Sequence, residues 1–376
     1  MKSLFSYWWV RLIVIVLVLV GAAAFLWSYN QVDKPQLVNI EGRSFVRAEV
    51  TEVVRDNIQE NGARIGDQIV HLRIESGPDA GKIVEANSPN GLLFGAVCEP
   101  GMQVIAISSV VGALHVTTVY NVDRSLPTIV MILLFLAALS LVGGKRGIRS
   151  AISLVFTFVC FLFLFFPMIL RGLSPLPAAV IVSALVLIVT IWLICGTGRK
   201  TWCAMLSSFL GVLVSVAAAF LFGKAVSVTG YNVPEIETLI FVEQNTLINV
   251  GQLLFAGILF ASLGAVMDIA MDISSAVNEI HRRKPQLSSR ELFKSGMNVG
   301  RDVMGTMSST LILAFFGGSL GIWVMDYAYD LPFLQLISSN AVTVEIMRGF
   351  AGSFGVIFAA PIAAALSAWL PFGHEK

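Results

Sequence analysis

Long apolar runs broken by short polar turns dominate the chain. A bilayer core about 30 Å thick needs about 20 apolar residues per helix. On that measure the sequence predicts about eight spans, near residues 10–28, 126–143, 148–170, 176–195, 202–222, 247–270, 303–325 and 349–370. The first run has Lys2, Trp8 and Trp9 at one end and Trp27 and Tyr29 at the other, an aromatic belt at both interfaces. It is too long for the apolar region of a signal peptide and lacks a small-x-small cleavage motif, so residues 1–29 are expected to be a membrane anchor.

Between the first and second runs lies the one sizeable polar segment, residues 30–125. Residues 47–54, 68–75, 82–87, 102–109 and 114–121 are rich in β-branched side chains, alternate in part, and are separated by Gly and Pro turn signals. Gly77-Pro78-Asp79-Ala80-Gly81 reads as a hairpin loop. Five short strands in so few residues suggest a small closed barrel of the OB type, since closure removes exposed edges. Such a barrel is either a cap or docking surface, or a ligand-binding module. The expected fold is a membrane all-α bundle of about eight transmembrane helices, with a small extracytoplasmic OB-like β-barrel inserted after the first helix. Its parts are an anchor (1–29), the β domain (30–125), and a seven-helix domain (126–376) with a cytoplasmic amphipathic segment near 285–298.

Composition sharpens this picture. Of 376 residues, 56% are hydrophobic and 13% charged, and the mean hydropathy is +0.81. Soluble domains carry about a quarter charged residues, so a soluble globular protein is excluded. Lys plus Arg (25) nearly equal Asp plus Glu (24), against a basic footprint for nucleic acid. Cys98, Cys160, Cys195 and Cys203 have no paired spacing of a metal or disulfide framework. Cations fall in alternate loops: Lys145, Arg146 and Arg149; Arg199 and Lys200; Arg282, Arg283, Lys284, Arg290, Lys294 and Arg301. The other loops hold mainly Arg171, Lys224 and Arg348 beside the acids Glu235, Glu237, Glu243, Asp326 and Asp330. The positive-inside rule then places both termini in the cytoplasm and residues 30–125 outside it.

Charge at bilayer depth costs roughly 2.5–3.5 kcal/mol per residue on insertion scales, so ionisable residues inside spans are functional candidates. The sixth span carries Asp268 and Asp272. Being four apart, they share one helix face, one turn from each other, an arrangement suited to holding and releasing a proton. The seventh span opens with Arg301, Asp302, Thr306, Ser309 and Thr310. There Arg301 can neutralise either aspartate, and the hydroxyls can line a relay. The alternative stays open that both aspartates lie just beyond the cytoplasmic membrane edge, because 20 residues counted from Leu247 end near Val266. Asn278 and Glu279 are secondary polar candidates on the same helix. Glu243 and Glu345, before spans six and eight, read more readily as solvated ends than as ligands. Ser288 and Glu291 have capping-box spacing, and the charges and apolar residues that follow read as a short amphipathic helix on the cytoplasmic surface.

Two resemblances rest on these residues. Leu126-Pro127-Thr128, the turn Gly143-Gly144-Lys145-Arg146-Gly147, Leu263-Gly264-Ala265-Val266-Met267-Asp268 and Gly300-Arg301-Asp302-Val303-Met304-Gly305-Thr306 resemble the YibE/F-like family of bacterial multi-pass membrane proteins. That implies a bacterial cytoplasmic membrane and little about activity. Residues 262–325 are also similar to the helix pair of the SecD and SecF translocon accessory proteins, of the resistance-nodulation-division superfamily. Asp272 is followed by Glu279 and the basic turn Arg282-Arg283, then Ser288 and Glu291, a Thr-rich start (Thr306, Thr310) and a Gly-rich exit (Gly317, Gly318, Gly321). The earlier spans do not match that pattern well, the external domain is much smaller, and Asp302 beside Arg301 departs from it.

Other signals carry less. Gly317-Gly318-Ser319-Leu320-Gly321 fits G-x-S-x-G, but a nucleophile elbow needs a strand-to-helix turn and a base. These glycines, like Gly349, Gly352 and Gly355, read as close helix packing. Gly196-Thr197-Gly198-Arg199-Lys200-Thr201 lacks phosphate-loop spacing. No enzyme, metal site or cofactor is expected. The leading expectation is a transporter or exporter driven by a proton or sodium gradient, with Asp268 and Asp272 binding the ion, Arg301 and Asp302 beside them, and Thr306 and Thr310 along the relay. The rival is a membrane scaffold or assembly factor whose barrel binds an external protein or lipid while polar residues lock helices together. Expected partners are the bilayer and a homodimer or companion membrane paralogue, with no nucleic acid.

Overall fold

A computed structural model describes residues 20–21, 23–32, 34–37, 42–59, 64–89, 95–111, 114–233 and 236–370. Most of the expected anchor, with Trp8 and Trp9, lies outside the described residues. Two compact units emerge: Gln36–Ala138, and Met1–Pro35 with Leu139–Lys376.

The first unit is built on five strands, β1 (Arg43–Arg55), β2 (Gln68–Ile74), β3 (Ile83–Ser88), β4 (Gln103–Val111) and β5 (Leu114–Val122). They fall on the five β-branched runs and close into a barrel in the order β1-β2-β3-β5-β4. Alternation sends Val46, Ala48 and Val50 of β1 inward, against Val70, Leu72, Val104, Ala106 and Val119. β1 pairs with both β2 and β4, and register shifts at Val50/Glu52 and Val53/Arg55 bend this long strand, as bulges do, so that one strand serves both sides of the closure. Gln68 is buried at one end with its amide satisfied: it donates to Asp56 (2.9 Å) and accepts from the Cys98 N–H (2.8 Å). Gly77 and Gly81, at φ 87° and 88°, turn the β2–β3 loop through the left-handed region.

The second unit is helical. Its labelled helices are α1 (Ser125–Cys160), α2 (Pro175–Cys195), α3 (Arg199–Ala225), α4 (Ile236–Asn245), α5 (Leu253–Arg283), α6 (Ser289–Gly318), α7 (Leu320–Ala328) and α8 (Asn340–Trp369), with α1 entering from the barrel unit. Among the described residues five helices are long and apolar enough to cross a membrane, or six if the bent pair α6–α7 makes one span. The turn expected near Gly144 is a break inside α1, where Gly144 takes φ 54°, ψ −135°. Residues eight apart in a straight helix lie about 12 Å apart, yet a Cβ on Gly147 would stand 2.0 Å from the Leu139 carbonyl oxygen. The chain therefore folds back at the glycine pair. After α1, a π-turn (Phe161–Phe165) sets Phe161 and Phe165 on Phe260 of α5, with ring centroids 4.6 and 4.9 Å apart.

Small residues bring α3, α5 and α8 together. A Cβ on Gly211 of α3 would meet Val266 Cγ1 at 2.6 Å and Ala359 Cβ at 2.9 Å, and one on Gly355 would meet Ser215 Oγ at 1.8 Å. Helices approach this closely only where side chains are small. Arg199 donates to the carbonyls of Ser367 (2.6 Å) and Leu370 (2.5 Å), placing a cation on the C-terminal carbonyls of α8.

Three expectations are corrected here. The segment 285–298 is no separate surface helix: its capping box forms at Ser288 and Glu291, but α6 runs unbroken to Gly318, with Leu292 and Gly296 buried. The seventh span is not one straight helix to 325, because α6 and α7 meet at 64°. The eighth helix starts at Asn340 rather than 349, which takes Glu345 into the helix instead of its solvated end.

Candidate functional site

The acidic pair lies on α5. Ile269, Ala270, Ile273 and Val277 of this helix are buried, while Asp268 and Asp272 are exposed together on another face. Gly257, Ala261 and Gly264 continue this exposed stripe toward the helix start, and a Cβ on Gly257 or Gly264 would meet nothing within 4 Å. The result is a stripe of small and acidic side chains left uncovered by the described residues. Further along α5, Glu279 accepts from Arg283 (2.7 Å, one turn on) and Asn278 is half-buried.

Arg301 does not pair with either aspartate. It is exposed, and among the described residues it makes no ion pair. The reason is the register of α5 against α6. Gly296 faces Val277 and Gly300 faces Ile273, at 2.7 and 3.1 Å from where a Cβ would be, so the helices run antiparallel with Ile273 and Gly300 at the contact. Positions 272 and 301 are each rotated about 100° from that contact, and in an antiparallel pair those rotations go to opposite sides. Asp302, Thr306 and Thr310 are exposed as well. The hydroxyls of Thr306, Ser309 and Thr310 donate to carbonyls of their own helix, Val303 (2.8 Å), Gly305 (2.9 Å) and Thr306 (2.8 Å).

A second polar constellation lies at the α6–α7 break. Gly317, Gly318 and Gly321 are not close-packed: a Cβ on any of them would meet nothing within 4 Å. They mark the bend instead. Beside them Arg348 Nη1 lies 2.6 Å from Glu345 Oε1, one turn apart on α8, with the Glu345 side chain 10% exposed and that of Arg348 30%. Gly318, Ser319, Gly321, Glu345 and Arg348 line a cavity of about 400 Å³. On α7, Asp326 is buried, and its Oδ2 has no hydrogen-bond partner among the described residues. In the sequence Arg348 counts only among the loop cations, and no break is expected at this point; the available signal is the i, i+3 Glu–Arg spacing.

Glu243 plays a structural part. It accepts from the Tyr231 hydroxyl (2.9 Å) and the Val250 N–H (3.2 Å), tying α4 to the start of α5. The bond to Glu243 pushes the Tyr231 phenol up. No group of His, Cys, Asp and Glu able to hold a metal occurs among the described residues.

Comparison with known proteins adds one finding. The family model described as YibE/F-like protein matches residues 131–372, the helical part of the chain. No curated protein and no solved structure matches it.

Proposed function

We propose, from the premise that this chain belongs to the YibE/F-like family, that it is a polytopic membrane transporter or exporter coupled to a proton or sodium gradient. The observation that carries the reading is the pair Asp268 and Asp272 in the middle of the apolar helix α5, with no cation against them among the described residues. Carboxylates at such positions are expensive, and they are retained where they line an ion path. A packing role within the chain would bring Arg301 onto the pair, and the register of α5 against α6 keeps it away. The distribution of Lys and Arg supports cytoplasmic termini and an external barrel, in a bacterial cytoplasmic membrane. The strand order β1-β2-β3-β5-β4 supports the OB-like reading of that barrel. In this reading ion binding at the two aspartates favours one of two arrangements of the helices, and ion release favours the other. The reading assigns the protein no enzymatic chemistry.

Ion uptake into liposomes holding the purified full-length chain, under an imposed inward gradient, tests the reading without a substrate. Wild type is expected to exceed empty liposomes, and Asp268→Asn and Asp272→Asn to fall to the empty level while keeping the wild-type melting temperature. Flux in both variants equal to wild type would overturn it.

A further inference from the structure

The cavity at the helix break continues along α8. Glu345 borders both it and a second cavity of about 170 Å³ that includes Trp323, Ile346 and Phe350. Ile346 and Phe350 in turn border a third, of about 280 Å³, walled by Phe222, Val226, Met347 and Phe354. The second and third cavities share Ile346 and Phe350 in their walls, the latter half exposed. The three therefore form one amphipathic course around α8. Its polar end holds the half-buried Arg348, fixed by Glu345, beside the start of α7, where no side chain caps the first N–H groups. In its middle Trp323 keeps a buried indole N–H that has no partner among the described residues. Its apolar end is walled by aromatic and aliphatic side chains.

We propose that this course binds one anionic phospholipid of the surrounding bilayer, with its phosphate at Arg348 and the break and one acyl chain between Phe222 and Phe354. Charge decides the head group: Glu345 is turned to its partner and mostly buried, so the accessible charge is the guanidinium, whose remaining N–H groups suit a phosphate. From Arg348 to Phe354 the helix rises about 9 Å, so the apolar end takes the upper part of one acyl chain, one leaflet's hydrocarbon being roughly 15 Å deep. As a statement of substrate class this rests on the transport reading; as a binding site it stands apart from it, because binding is measured with no gradient present.

Native mass spectrometry of the full-length chain in a neutral detergent, titrated with phosphatidylglycerol or phosphatidylcholine of identical acyl chains, tests the site. Wild type is expected to retain one phosphatidylglycerol about tenfold more strongly than phosphatidylcholine, and Arg348→Gln to lose that preference. Gly321→Leu fills the polar cavity, where its Cβ meets no neighbour within 4 Å, and should lower retention of phosphatidylglycerol by a similar factor without unfolding the chain. Equal retention of the two lipids by wild type, or unchanged retention by Gly321→Leu, would overturn the proposal. Loss of lipid preference with ion flux intact separates this site from the ion path; loss of flux with preference intact leaves the lipid site standing.

Discussion

Asp123 shows how single residues set the pH limits of the barrel unit. Its carboxylate accepts from the Ser125 N–H (2.9 Å) and lies 3.2 Å from Arg47 Nε. The hydrogen bonds from Ser125, and then the charge of Arg47, hold it below the usual carboxylate range. A carboxylate depressed on folding contributes stability above its unfolded pKa of about 3.9, and that contribution is lost as pH falls through the lower folded value. Asp123→Asn should therefore flatten the acid limb of the barrel's thermal melting below about pH 4 and cost no more than about 1 kcal/mol at pH 7, the ceiling for an exposed pair. An acid limb of unchanged steepness in the variant would refute this assignment. At this scale the sequence was legible where spacing is local. Asp268 and Asp272 share a face because they are one turn apart, and Ser288 and Glu291 cap α6 because the box needs only three intervening steps. The Arg301 pairing was not legible, since it depends on which residues of α5 and α6 meet, and Ile273 and Gly300 decide that.

The same contact governs the elements. α6 reaches α5 and α8 through glycines: a Cβ on Gly296 would sit 2.7 Å from Val277 Cγ2 and 3.1 Å from Ala364 Cβ. Gly296→Leu is expected to prise α6 from both neighbours and to lower stability by about 1–3 kcal/mol, as overpacking does. Gly264→Leu on α5 places its Cβ where nothing lies within 4 Å and should leave stability unchanged or slightly higher, given the better helix propensity of Leu. Thermal melting in detergent compares the two, and equal losses would show that Gly296 is not at a close contact. Hydropathy located the long helices because apolar length is itself the signal. It misjudged their ends and bends. The apolar count begins only at residue 349 and so misses the first turns of α8, where Asn340, Thr343, Glu345 and Arg348 interrupt the buried Val342, Val344 and Met347. It also reads through the break at Gly318, because glycine is apolar enough to keep the count going while the backbone turns by 64°.

At the scale of the whole molecule the two units differ in what holds them. The barrel has its own core of Val50, Val70, Leu72, Val104 and their neighbours, and its closed order leaves no strand edge in need of cover. The bundle's largest core runs through α2, α3, α5, α6 and α8, with Leu187, Leu259, Ile269 and Ala360 among its members. Among the described residues the two units have separate core clusters, and the family match starts at residue 131, after the last strand. Replacing residues 42–122 by a short Gly/Ser linker should then leave the bundle folded, with its melting temperature shifted by less than about 4 °C, the equivalent of about 1 kcal/mol for a unit of this size. Circular dichroism and thermal melting of the shortened chain in detergent measure this. Were the helices of the shortened chain to melt far lower, the barrel would have to supply part of the bundle's stability. If they melt as in wild type, ion uptake by the same chain asks whether the external unit is needed for coupling: uptake that persists confines the ion path to the helices that carry Asp268 and Asp272, and uptake that vanishes makes the barrel part of the moving assembly.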